Sequence, residues 1–346
     1  MEMKDAIGKV VQAQDLSEDE AYQTAQTIMR GGATDAQIAA VLTALRIKGE
    51  TQEEITGFAR AMRAEATPVP CREAALVDTC GTGGDRSGTF NVSTVSALVA
   101  AGAGCSVAKH GNRSISSRCG SADLFASLGV RIDVPPETAG RCIDENGVGF
   151  LFAPLLHKAM KHAAGPRREI GVRTIFNILG PLTNPAGAKR QVLGVFDGGL
   201  TDTLANVLKR LGSEHVLVVH GGDGLDEITL TGPTAVAELK DGSIGTYSIE
   251  PEDFGLKRAG SETLKGGDPG TNAAIALSVL KGEKGPARDM VLLNAGAVAY
   301  VGGLARTVRD GIRLAAESID SGRAMRKLEN LKKMTQEIPG QAVVPS

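Results

Sequence analysis

Residues 78–94 read Asp-Thr-Cys-Gly-Thr-Gly-Gly-Asp-Arg-Ser-Gly-Thr-Phe-Asn-Val-Ser-Thr. Gly81, Gly83, Gly84 and Gly88 can take backbone angles closed to other residues and let an anion approach the main chain. Asn91, Ser93 and Thr94 add side-chain donors immediately downstream. This chemistry suits a phosphate or pyrophosphate. A P-loop is excluded because no Lys follows these glycines, and a dinucleotide fingerprint is excluded because Arg86 stands where its third Gly belongs. On residue types alone, a loop that is glycine-rich only to turn tightly remains the alternative.

Three further clusters carry charge. Lys109-His110-Gly111-Asn112-Arg113, followed by three serines among residues 114–117, offers two cations and several orientable donors. Asp223-Gly224-Leu225-Asp226-Glu227 follows an apolar run; adjacent carboxylates at a strand end suit Mg²⁺, or else form an incidental acidic turn. Arg167-Arg168-Glu169, with Arg173 beyond, could pair with a carboxylate substrate or be a helix-surface charge cluster. His157, His162 and His215 have no partner pattern and read as structural or surface residues.

These clusters need elements to position them. Ala75–Asp78 reads as a strand end, and Val92, Val95, Leu98 and Val99 recur at helical spacing, so the first motif is a strand, a Gly-rich loop and a helix N-terminus. Such a helix start directs unpaired N–H groups and a positive dipole end toward one small volume. Strands are also expected at Ser106–His110, Val130–Asp133, Gly149–Phe152, Gln191–Val195 and Val216–His220, with helices between most of them, such as Ser121–Leu128 and Thr201–Leu211. The alternation predicts a largely parallel sheet, and open sheets bind ligands at the carboxyl ends of their strands. Both the Gly-rich and the basic loop leave such ends. The Ser121 helix offers a further set of N-terminal donors.

The first 70 residues contain no strand pattern. Ser17-x-x-Glu20, Thr34-x-x-Gln37 and Thr51-x-x-Glu54 are three capping boxes, each opening a helical stripe. Thr67-Pro68-Val69-Pro70 then marks a hinge or domain boundary. Residues 157–184 interrupt the α/β alternation and predict a return to the helical domain; 272–333 predict three helices covering the sheet.

Composition limits the partners. The 346 residues are 42% apolar and 23% charged with a net charge of −2, which gives no general attraction to nucleic acid or anionic membranes. Any anion site must therefore be built locally. No apolar run reaches membrane-span length, and the N-terminus lacks the regions of a signal peptide. Five scattered cysteines without a Cys-x-x-Cys pair fit reduced thiols in a cytoplasmic setting.

Gly81–Asp85, Asn91–Thr94, Lys109–Arg113, Gly120–Asp123, Arg173–Pro181 and Asp223–Glu227 occur together in the order and spacing of one family. From about residue 5 to 335 the chain resembles the anthranilate phosphoribosyltransferases. The resemblance implies an α/β fold: a small N-terminal all-helical domain (1–70, with a return near 160–184) and a larger α/β domain (71–346) with a mostly parallel central sheet. It implies attack of anthranilate on C1′ of phosphoribosyl pyrophosphate (PRPP), a step of tryptophan biosynthesis, in a cytoplasmic homodimer joined through the helical domain. Carried onto matching positions, PRPP would meet Gly81, Gly84, Asp85, Thr89, Asn91, Val92, Ser93, Thr94, Lys109, His110, Gly111, Asn112, Arg113, Ser117 and Ser121. Anthranilate would meet Gly81, Asn112 and Arg167; spacing to Gly171 favours Arg167 over its neighbours. Ser93, Asp226 and Glu227 would hold Mg²⁺, two ions per monomer. The arylamine is neutral at pH 7, so no dedicated catalytic base is expected. Pyrimidine nucleoside phosphorylases share this architecture, and a non-catalytic relative could bind nucleic acid in the same cleft; the acidic pair and the net charge count against these two alternatives respectively.

Overall fold

The computed structural model describes residues 1–73, 75–85, 87–114 and 118–337. Its N-terminal part is helical: α1 (Met3–Val10), α2 (Glu18–Met29), α3 (Asp35–Lys48) and α4 (Gln52–Ala64). All three expected capping boxes form, at Ser17, Thr34 and Thr51. Each satisfies two orphan donors reciprocally, and a lost N-cap typically costs about 1 kcal/mol. Glu54 does more than cap. Its buried carboxylate also accepts from Leu16 N (2.9 Å) and Lys48 Nζ (2.9 Å), tying the α1–α2 connection to α3 and α4.

The remainder runs β1 (Leu76–Asp78), α5 (Val92–Ala103), β2 (Ser106–Gly111), α6 (Ser121–Ser127), α7 (Pro136–Asn146), β3 (Val148–Phe152), α8 (Ala153–Leu156), α9 (Lys161–Ile170), α10 (Phe176–Leu179), β4 (Arg190–Gly194), α11 (Leu200–Arg210), β5 (His215–Gly221), β6 (Thr234–Lys240) and β7 (Ser243–Ile249). Four helices follow: α12 (Pro269–Leu280), α13 (Pro286–Val301), α14 (Val308–Asp320) and α15 (Arg323–Gln336). The sheet order is β3-β2-β1-β4-β5-β6-β7, parallel as far as β5 and antiparallel beyond it.

Several expectations needed correction. Val130–Asp133 forms no strand; it is the connection from α6 to α7, and its apolar residues pack without a ladder partner. The β6–β7 hairpin was not foreseen, because mostly exposed β7 lacks an inward-facing apolar alternation. The C-terminal region holds four helices rather than three. The 67–70 segment is pinned rather than a free hinge: Thr67 N donates to Leu156 O (2.8 Å), Val69 N donates to Pro185 O (3.0 Å), and Val69 is buried.

Strand side chains alternate between two faces. Val77, Val107, Val192, Leu217 and Val219 point to one apolar cluster, shared with α5 and α12–α15. Leu193, Val195, Val216 and Val218 point to another, which continues through α11 into α1–α4 and α9. The α1–α4 region thus has no core separate from the sheet. α9 packs on α2 and α3, so residues 161–170 rejoin the N-terminal helices. Among the described residues, no helix is long and apolar enough to cross a membrane.

Candidate active site

β1 sits mid-sheet, with β2 on one side and β4 on the other. The chain reverses its order of strand addition there, which makes the β1/β4 crevice the topological switch point where open sheets bind ligands. The Gly-rich loop leaves β1 at this place. Its neighbours hold it: Thr82 N donates to Gly194 O (2.9 Å), Gly83 N donates to Asp226 Oδ2 (2.7 Å), and Arg173 donates to Gly84 O. Gly81 is required by close approach, since a Cβ there would lie 3.0 Å from Asp226 Oδ2 and 3.2 Å from Gly194 O. Asp85 accepts from Ser87 Oγ (2.7 Å), and Thr89 pairs with Lys265 in an isolated bridge.

The acidic loop after β5 crosses the end of β4. A Cβ on Gly194 would fall 1.6 Å from Asp226 O, so only glycine lets the two backbones cross. The adjacent carboxylates diverge: Asp226 reaches Gly83 N, and Glu227 Oε1 accepts from Ser93 N (3.0 Å). With Thr79, Gly81, Ser93 and Gly194 they line a small cavity. Burial, reinforced by Asp85, raises the pKa of Asp226 above the carboxylate range. Burial and Asp226 do the same for Glu227, opposed by Lys109. Two crowded carboxylates whose charge is disfavoured, beside the Ser93 hydroxyl, form a hard-oxygen set that fits Mg²⁺.

The start of α5 differs from expectation. Its first N–H groups are partnered: Val92 N by Phe90 O, Ser93 N by Glu227 and Thr94 N by Asn91 O. The Asn91 side chain turns aside to Cys119 O and Asn272. Val92 and Thr94 are buried, and Thr94 Oγ1 has no partner among the described residues. Of the three expected side-chain donors, only Ser93 faces the cavity.

The basic loop splits between the sheet faces, because Lys109 and His110 are consecutive on β2. Lys109 is buried on the α5 side, donating to Thr79 O (3.2 Å) and Thr79 Oγ1 (3.1 Å) and lying 3.5 Å from Ser93 Oγ. His110 lies on the other face, with Nδ1 on Gly180 O (3.1 Å) and its ring 5.1 Å from that of His157. Burial lowers the two pKa values to about 3 and about 4, so both rings are neutral at pH 7. Gly111 packs against Ser121 Oγ. Asn112 is exposed; its backbone oxygen accepts from Ala122 N and Ser121 Oγ. At the α6 N-terminus, Asp123 accepts from Gly120 N (2.9 Å), Ser114 N (3.2 Å) and Arg113 (2.7 Å), and Ala122 N donates to Asn112 O. Ser117 lies outside the described residues.

Residues 4–66 match the helical bundle domain of the glycosyl transferase family, and 73–325 match its a/b domain. The chain is 58% identical over 327 residues to the anthranilate phosphoribosyltransferase of Moorella thermoacetica, covering 94% of this chain and 96% of that one. The chain belongs to the anthranilate phosphoribosyltransferase family. The crystal structure of the family member from Thermus thermophilus superposes with a TM-score of 0.92 at 48% identity, covering 96% of this chain and 99% of that one. The Saccharomyces cerevisiae member, solved with PRPP and Mg and also with 4-fluoroanthranilate, gives 0.88 at 29% identity over 97% of this chain and 98% of that one. The phosphorylase-like and nucleic-acid-binding alternatives give way to this membership.

Within this anthranilate phosphoribosyltransferase scaffold, the three arginines separate. Arg167 is half-buried, 5.4 Å over the Phe176 ring, and burial lowers its pKa. Arg168 is exposed, while Arg173 serves the Gly-rich loop. His215 is structural, 2.9 Å from Glu238. His162 packs on Gly31 between α9 and the end of α2.

Sequence reasoning missed Asp78, Thr79, Asn184 and the location of His157. Buried Asp78 accepts from Thr79 N, His110 N and Asn184 Nδ2, which locks β1, β2 and the 184 turn together. Asp78, Cys80 and His110 place donor atoms within 4.8 Å of one another. The Asp78 carboxylate already has three donors, and burial raises the Cys80 pKa, so the trio is framework rather than metal centre. An acid closing a strand just before the Gly-rich loop was the available signal.

Proposed function

We propose that this protein transfers the 5-phosphoribosyl group of PRPP to the amine of anthranilate. The new C1′–N bond replaces the C1′–O bond to pyrophosphate, and the amine loses one proton. The observation that carries this reading is the convergence of the Gly-rich loop, Ser93 and the Asp226–Glu227 pair on the β1/β4 crevice. This convergence occurs in a chain 58% identical to a named member.

The residues divide the work. Gly81, Gly84 and Asp85 form the turn that receives the phosphate groups, with Thr89, Asn91, Val92, Ser93 and Thr94 shaping the far side. Gly83 N–H and Ser93 N–H, which donate to Asp226 and Glu227, fix the acidic pair against the Gly-rich loop and the start of α5, where dipoles can meet charge developing on the leaving group. Lys109 is fixed beneath Thr79 and Ser93 as a buried positive charge. His110, Gly111, Asn112, Arg113, Ser117 and Ser121 border PRPP, while Gly81, Asn112 and Arg167 address the acceptor. Bound Mg²⁺, two ions on Asp226, Glu227 and Ser93, would neutralise charge developing on pyrophosphate. His110 and His157, whose rings lie 5.1 Å apart, are buried and neutral at pH 7, which supports catalysis by positioning rather than by these imidazoles.

The helical domain comprises 1–70 with the 160–184 return, and the PRPP-binding domain 71–346. Ile47 (82% exposed) and Val11 (62% exposed) give the helical surface an apolar character that suits a homodimer contact. Light scattering of wild type and Ile47→Glu should read dimer and monomer respectively. The protein works in the cytoplasm, in keeping with five cysteines that form no disulfide among the described residues.

The deciding assay is loss of anthranilate fluorescence on adding PRPP and Mg²⁺. Loss that requires both additions and collapses in Asp226→Asn/Glu227→Gln supports the reading. No loss with folded protein refutes it.

A further inference from the structure

Arg173 stands two residues beyond Gly171, whose φ of +65° ends α9. Its guanidinium donates through Nη2 to Gly84 O and lies 3.9 Å from the centroid of the Phe196 ring. Phe196 is tied to the same loop, its N donating to Thr82 Oγ1 (3.1 Å). A Cβ on Gly84, where φ is +81°, would meet Arg173 Nη2 at 3.0 Å. Arg173 also lines a cavity with Arg46 and Glu50 from the end of α3, together with Asn177 and Phe196. One side chain thus touches the segment that returns to the helical domain and the turn proposed to hold phosphate.

The peptide plane gives this contact a direction. The Gly84–Asp85 peptide is trans, like every peptide bond among the described residues, so the Gly84 carbonyl and the Asp85 N–H point to opposite sides of a rigid unit. Fixing the carbonyl on Arg173 turns the Asp85 N–H away from it. Among the described residues, no acceptor takes that N–H. The preceding Gly83 N–H is fixed on Asp226. Stacking on Phe196 holds the guanidinium plane, which a flexible ammonium would not reproduce.

We infer that Arg173 is a positioning residue for the donor substrate: it sets the Gly84–Asp85 peptide so that the Asp85 N–H is presented to a phosphate oxygen. It does not contact the acceptor. The inference rests on the proposed function for its substrate but not for its geometry.

The test is Arg173→Ala, with Arg173→Lys as the milder variant. KM for PRPP should rise about 10-fold or more in Arg173→Ala, the value of one hydrogen bond to a charged donor. Arg173→Lys should fall between Arg173→Ala and wild type. KM for anthranilate should stay within about 2-fold and kcat at saturating PRPP within about 3-fold. Methylguanidinium added to Arg173→Ala should recover PRPP affinity, which a purely structural role would not allow. Calorimetric titration with pyrophosphate and Mg²⁺ should show the same weakening without any acceptor. A raised anthranilate KM with unchanged PRPP KM, or unchanged pyrophosphate affinity in both variants, would overturn the inference. If wild type consumed no anthranilate, the proposed function would fall, and the pyrophosphate titration would still decide the role of Arg173.

Discussion

The loop after β1 and the loop after β5 meet at one crevice but are held in opposite ways. Residues 79–85 are pinned from outside, by Gly194, Asp226 and Arg173. Residues 221–234 are braced mainly from within. Asp223 accepts from Leu225 N, Thr229 Oγ1 and Thr231 Oγ1, Gly221 N donates to Leu225 O, and Gly222 N donates to Pro233 O. Asn294 of α13 clamps Ile228 from both N and O. A self-braced loop can carry two crowded carboxylates without collapsing. An externally pinned loop can be reset by whatever changes its pins. The geometry of the Gly-rich loop therefore depends on residues outside it more than that of the acidic loop does.

The largest expected effect separates activity from stability. Asp226→Asn/Glu227→Gln should cut turnover by at least about a thousandfold, since several kcal/mol of charge stabilisation depend on the pair. The same variant should resist urea better than metal-free wild type near pH 7, because it removes two buried carboxyls whose ionisation the site disfavours. Loss of stability would instead mean that those carboxylates hold the loops together. Asp223→Ala should do the reverse: about 2 kcal/mol less stable in urea, with kcat of the folded fraction little changed. A large kcat loss at full stability would break the contrast between bracing and chemistry.

The smallest effect is a pH dependence. Asp226 and Glu227 titrate above the unfolded carboxylate range, so the folded state binds more protons than the unfolded one. Stability of the metal-free protein should therefore fall as pH rises from about 4 through the raised folded values. Urea midpoints with a chelator at pH 5.5 and 8.5 measure this, and saturating Mg²⁺ should flatten the slope. A slope of the opposite sign would place the excess protons elsewhere.

Much of this arrangement was legible in the residues. The capping boxes are local chemistry, and all three formed. Five of the six expected strands formed because their apolar residues feed a sheet face. Val130–Asp133 has the same residue types but serves a connection, a distinction that only tertiary pairing makes. β7 escaped notice for the converse reason: its ladder with β6 is backbone bonding, which leaves little side-chain pattern. At the site, motif types pointed to the right loops but not to the direction of each side chain. Lys109 and His110 are neighbours in sequence and lie on opposite faces of β2. Spacing favours Arg167 over Arg173, but only the fold shows why they differ, with one over Phe176 and the other over Phe196.

The apolar cluster that runs from α1–α4 through α11 onto the sheet has a consequence for how the molecule comes apart. A bundle with its own core could melt alone or be released by a nick near residue 70. Here such a cut would expose raw hydrophobic surface on both fragments, and the Arg63 contacts with Leu182 O and Leu211 O would break with it. The two regions are separate as sequence modules but should melt as one cooperative unit.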